Sequence, residues 1–103
     1  MDIAISKNGI PIRLTDERWF HISTGHPEIS DYYFEILEAI ENPEIIYHGN
    51  NFALIAIKLQ QEQNDKYIVV IYKEVSENDG FVITAYLTDK INEFQKKQIQ
   101  WKQ

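Results

Sequence analysis

The sequence predicts an α+β domain, with N-terminal helices packed on a four-stranded antiparallel sheet and a further helix at the C-terminus. Three observations carry this. Helix-period apolar spacing with capping residues fills residues 15–42. Apolar stretches rich in Ile, Val and Tyr, separated by short polar turns, follow over 44–88. The polar tail, 89–103, returns to roughly helical spacing. A length of 103 residues fits one small domain and no second core.

The chain opens on Ile3-Ala4-Ile5, a Lys7-Asn8-Gly9 turn and Ile10-Pro11-Ile12-Arg13-Leu14. Asn-Gly favours a tight hairpin turn, so residues 1–14 read as a hairpin or extended arm. Pro11 lacks a ladder donor, which predicts an edge strand. Thr15 is suited to cap a helix whose first turn carries Asp16 and Glu17, favourable at the positive helix end. That helix is expected over Asp16 to about Thr24, stopped by Gly25 and Pro27. A second helix is expected from near Ser30, as cap, to just before Pro43. Ile29, Tyr33, Ile36, Leu37 and Ile40 form its apolar stripe, and Glu35, Glu38 and Glu41 its solvated face.

Strands are expected over Glu44 to His48, Phe52 to Leu59, Lys66 to Val75 and Phe81 to Thr88. Gly49-Asn50-Asn51 and the Ser76 to Gly80 segment supply turns, Gly80 being suited to φ > 0. Short connections predict an antiparallel meander. In the tail, Ile91, Phe94, Gln98 and Trp101 are spaced as on a helix.

Composition narrows the function. Hydrophobic residues at 44% and charged residues at 25% are ordinary for a globular protein. No apolar run approaches the ~20 residues that span a bilayer. The first residues lack the features of a signal peptide. The absence of cysteine excludes disulfides and thiolate chemistry and fits a reducing cytoplasm. A net charge of −6 argues against tight duplex binding and suits a basic protein partner.

Two of the three histidines, His21 and His26, bracket an aromatic-rich helix end. Imidazoles titrate near neutrality, so a close pair can donate and accept protons at one site. The same residues also read as an exposed helix position and a cap partner before Pro27. Strict alternation divides Phe81 to Thr88 into an apolar face (Phe81, Ile83, Ala85, Leu87) and a second face carrying Val82, Thr84, Tyr86 and Thr88. The three hydroxyls are able to bind an oxyanion, and are equally good strand residues at a half-exposed surface. A turn pairing Glu77 with Phe81 sends Lys73 to the apolar side, whereas a bulge at Gly80 reverses this. His21, His26, His48 and Glu28 match no compact zinc spacing, and no phosphate loop, dinucleotide fingerprint or Gly-x-Ser-x-Gly elbow occurs. No cofactor is called for.

Several blocks together resemble one family. They are Glu17-Arg18-Trp19-x-His21-Ile22, His26-Pro27-Glu28, Ile36-Leu37-x-x-Ile40-x-Asn42-Pro43, Tyr67 to Glu74 and Phe81 to Thr88. In this order they look like small bacterial and phage proteins of the barnase–EndoU–colicin–RelE-like (BECR) nuclease group, over about residues 10–92. The resemblance implies two N-terminal helices on a four-stranded antiparallel sheet. It also implies metal-independent RNA cleavage, often in toxin–antitoxin or phage-conflict systems with a cognate antitoxin. His21 and His26 would then be catalytic, Lys73 would match a commonly basic position, and Thr84 with Tyr86 the hydroxyl block. Relatives often carry a basic residue before the His-Pro pair, where this chain has Gly25. The alternative is an inactive interaction domain with Trp101 or the Ile3-Ile5 arm as anchor.

Overall fold

A computed structural model describes residues 1–60 and 66–103. In it the expected four-stranded meander forms the middle of a seven-stranded mixed sheet. Strands β1 (Asp2–Ile5) and β2 (Pro11–Leu14) precede helices α1 (Asp16–Gly25) and α2 (Tyr33–Glu41). Then come β3 (Ile45–His48), β4 (Leu54–Gln60), β5 (Lys66–Ser76), β6 (Asp79–Thr88) and β7 (Ile99–Lys102). The spatial order is β1-β2-β6-β5-β4-β3-β7. The four-stranded, helix-terminated architecture expected from sequence is therefore overturned at both edges.

At the first edge, the hairpin forms as expected, with Gly9 at φ +82 in its turn. It does not stand apart as an arm: β2 joins β6 in parallel through Ile12 opposite Gly80 and Arg13 opposite Phe81. Pro11 is tolerated on this internal strand because it lies just outside that two-residue pairing. Arg13 locks the splice, its guanidinium donating to both carboxylate oxygens of Asp79 at 2.7 and 3.1 Å.

At the other edge, the expected C-terminal helix is absent. Residues Asn92–Phe94 make a single 3₁₀ turn, and Ile99–Lys102 pair antiparallel with β3. Ile99 and Trp101 are two residues apart, a strand period. Trp101 thereby joins the helix-side core while Ile91 and Phe94 cap the opposite face. One edge of β3 was open for pairing, and burial of these side chains outweighs weak helical spacing in a glutamine-rich tail.

The helices follow their local signals more closely. Thr15 Oγ1 accepts from the Arg18 N–H at 3.1 Å, capping α1. The second helix begins later than Ser30. Pro27–Ile29 form a 3₁₀ turn, and the Ser30 hydroxyl donates back to the Pro27 carbonyl instead of capping α2. The predicted stripe nonetheless faces inward: Ile29, Ile36 and Ile40 are fully buried, with Tyr33 and Leu37 packed beside them.

Both helices cover one sheet face, over Ile12, Leu14, Ile68, Val70, Tyr72, Val82 and Ala85. The sheet curls enough that its ends approach one another. The Lys7 ammonium lies 4.9 Å from the Trp101 ring centroid, and the Gln100 amide donates to Asn8 at 3.5 Å. Among the described residues, no helix is long and apolar enough to cross a membrane.

Candidate functional site on the second sheet face

The register of β5 against β6 decides which side chains share the face opposite the helices. Glu74 stands opposite Gly80, Lys73 opposite Phe81 and Tyr72 opposite Val82, but Ile71 stands opposite Thr84. The extra residue, Ile83, is a β-bulge, and it breaks the expected alternation. Val82 and Ala85, three apart, both enter the helix-side core. Ile83 is turned to the second face beside Phe81 and Ile71. Sequence alternation had placed Ile83 with Ala85 and Val82 with Thr84, so both assignments are corrected.

Lys73, Thr84 and Tyr86 consequently share the second face, because Lys73, Ile71 and Val69 are their cross-strand or same-face neighbours. Gly80 makes no φ > 0 turn. Its role is close approach, since a Cβ there would meet Ile12 Cδ1 at 2.5 Å and the Lys73 carbonyl oxygen at 2.6 Å.

His26 reaches this region from the helix layer. Trp19, Ile22 and His26 are spaced i, i+3, i+7, one inward stripe. At the C-cap, the His26 N–H donates to the Ile22 carbonyl at 2.8 Å. Beyond Phe81, β6 has no pairing with β2, and α1 with the Pro27–Ile29 turn packs against it instead. The His26 ring therefore sits 5.7 Å, centroid to centroid, from Tyr86, and its Nδ1 lies 3.4 Å from Glu28. Burial, and secondarily Glu93, raises the Tyr86 phenol above its ordinary pKa. At neutral pH it is a hydrogen-bond donor, not a phenolate.

His21 occupies the outer side of α1, one position before inward-facing Ile22. Its side chain is 62% exposed, with Glu17 at 3.9 Å and the Phe20 ring at 6.1 Å. The structure thus brings four of the five candidate residues to one face and its border, and places the fifth on the exposed flank of the adjoining helix. His48 ends β3 and is exposed. Among the described residues no three His, Asp or Glu side chains gather as a metal site.

The same face contains a cleft of about 460 Å³ that sequence reasoning did not assemble. Asn50 and Asn51 line it on one side, Phe81 and Phe94 provide apolar walls, and Lys73 and Lys97 bring two cations. Asn51 (φ 55) and Phe52 (φ 66) are consecutive non-glycine residues in the left-handed region. Asparagine tolerates that region; phenylalanine does so at a cost of about 1–2 kcal/mol. The Phe52 side chain is 90% exposed, so core packing does not compensate. The Gly49-Asn50-Asn51 turn was legible in sequence, but nothing local linked it to Lys97.

Comparison of the chain with protein-family models, curated proteins and solved structures finds no match. Function therefore has to be argued from the site.

Proposed function

We propose that this protein is a metal-independent endoribonuclease, acting at the second sheet face where it meets the end of α1. The observation that carries the reading is the His26–Tyr86 contact, an imidazole held against a hydroxyl-bearing strand whose next same-face residue is Thr84. In the reaction His26 takes the proton of a ribose 2′-hydroxyl as the oxygen attacks phosphorus. The P–O5′ bond breaks, leaving a 2′,3′-cyclic phosphate and a 5′-hydroxyl. Tyr86 and Thr84 donate to the non-bridging oxygens, and the Lys73 ammonium offsets their developing charge. The leaving oxygen receives its proton from water, because His21 lies on the exposed flank of α1 and not at this face.

The local cations answer the −6 net charge, since an RNA-cleaving site needs positive charge at the phosphate and not over the whole surface. Cleavage of a single-stranded RNA in the presence of EDTA tests the proposal. His26→Ala is expected to lose about 10²–10⁴-fold in rate. Tyr86→Phe is expected to lose a smaller factor. His21→Ala, on the exposed flank of α1, is expected to leave the rate unchanged. Wild-type protein that leaves RNA intact refutes the reading.

A second reading has its own observation. Ile3 and Ile5, 50% and 49% exposed on edge strand β1, form an apolar pair suited to a protein partner such as a cognate antitoxin. Trp101, the other anchor expected from sequence, packs against the helix-side core and under Lys7. Growth arrest on expression, relieved by a neighbouring gene product, would join both readings in a toxin–antitoxin pair.

A further inference from the structure

We infer that the 460 Å³ cleft between the Asn50-Asn51 turn and the Lys73–Lys97 pair is a mononucleotide-binding subsite. Its volume lies within the ~300–1,000 Å³ typical of small-molecule sites. Phe94 is buried as a floor, stacked on Tyr47 at 6.2 Å, and Phe81 stands half-exposed as a wall. A planar base packs against such apolar aromatic surface without sequence preference. The Asn50 and Asn51 carboxamides each offer two donors and an acceptor, which can read the polar edge of a base. Neither Lys73 nor Lys97 has a carboxylate partner among the described residues. Two ammonium groups without a described carboxylate partner, beside an apolar slot, fit an anion attached to an aromatic ring, and fit a neutral or cationic ligand poorly.

The turn supplies an independent argument. Two adjacent non-glycine residues hold left-handed backbone with an exposed phenylalanine, a local cost that core packing does not explain. That conformation carries Asn51 onto the cleft wall. The 3₁₀ turn around Phe94 does the same for Lys97, whose N–H donates to the Phe94 carbonyl at 2.9 Å. Two irregular segments thus converge on one slot over the second sheet face. The subsite shares only Lys73 with the proposed cleavage site.

The test uses the four ribonucleoside 5′-monophosphates and inorganic phosphate, titrated into the intact protein by isothermal calorimetry and amide chemical-shift mapping. These monophosphates contain no internucleotide bond, so binding is read apart from RNA cleavage. At least one nucleotide is expected to bind, with shifts centred on Asn50, Asn51 and Lys97 and with inorganic phosphate at least tenfold weaker. Lys97→Ala should weaken binding at least tenfold, while the charge-matched Lys102→Ala leaves it unchanged. Asn51→Gly, which satisfies the positive φ but removes the carboxamide, should weaken the discrimination among bases. Absence of nucleotide binding at millimolar concentration overturns the inference, as do shifts that map elsewhere or phosphate binding as tightly as the nucleotides. Nucleotide binding by a protein that cuts no RNA refutes the nuclease and leaves the subsite standing.

Discussion

Replacing Gly80 by alanine puts a methyl carbon 2.6 Å from the Lys73 carbonyl oxygen and 2.5 Å from Ile12 Cδ1. Ile12 can rotate, but the carbonyl belongs to the backbone of β5, so β6 itself has to shift outward by close to ~1 Å to reach ordinary contact. The β2–β6 splice consists of only the Ile12–Gly80 and Arg13–Phe81 pairs, and that shift loosens the attachment of the N-terminal hairpin. Overpacking of this kind costs about 1–3 kcal/mol. Taking ~3 kcal/mol, because backbone and not side chain must yield, the melting temperature should fall by about 12–24 °C for a domain of this size. Circular dichroism melts of wild type, Gly80→Ala and Gly25→Ala provide the measurement. Gly25 has open space around its Cβ position and ends a helix, so alanine there should be neutral or stabilising by up to ~1 kcal/mol. A Gly80→Ala protein melting with wild type would refute the close-approach argument and with it the register of β6.

Other expectations follow from the same geometry. Ile36→Ala, emptying a fully buried position, should cost about 2–5 kcal/mol in urea unfolding. Thr15→Ala removes the α1 cap and should cost about 1 kcal/mol by the same measurement. The Asp79 carboxyl is held below the ordinary carboxylate range, chiefly by its hydrogen bond from Arg13. A folded-state pKa below the unfolded one means that this pair contributes stability above the unfolded value and loses it as pH falls through the folded value. Acid unfolding of Asp79→Asn should accordingly be less steep than that of wild type; an unchanged acid limb would count against the pair. Thr84→Val, isosteric on the proposed phosphate-binding face, should reduce RNA cleavage about tenfold or more while leaving the melting temperature within a few degrees.

The extent to which the site could be read from the chain differs residue by residue. Trp19, Ile22 and His26 share a helical stripe visible in the sequence, and that stripe separates His26 from His21. The face of Lys73 depended on a register that two plausible turns assigned oppositely, and neither decides it: Lys73 pairs with Phe81, and the bulge at Ile83 then brings Thr84 and Tyr86 to the same face. The bulge at Ile83 had no local signature, because Phe81 to Thr88 satisfies strict alternation equally well. Lys97 and Asn51, separated by 45 intervening residues, meet only once Phe94 has capped the second face.

The sequence by itself determined what short-range forces decide. These include the Thr15 cap, the Asn8-Gly9 turn, the inward stripe of α2 and the strand character of the central meander. Each depends on residues within a turn or two of one another, so the local chain carries the whole energetic argument. Tertiary structure alone decided the parallel splice of β2 onto β6, the conversion of the tail into β7 and the cleft between two irregular turns. Those outcomes balance burial and edge pairing against loop closure over tens of residues, terms that no local window contains. The free edge of β3 recruited Ile99–Lys102, and the unpaired stretch of β6 received His26.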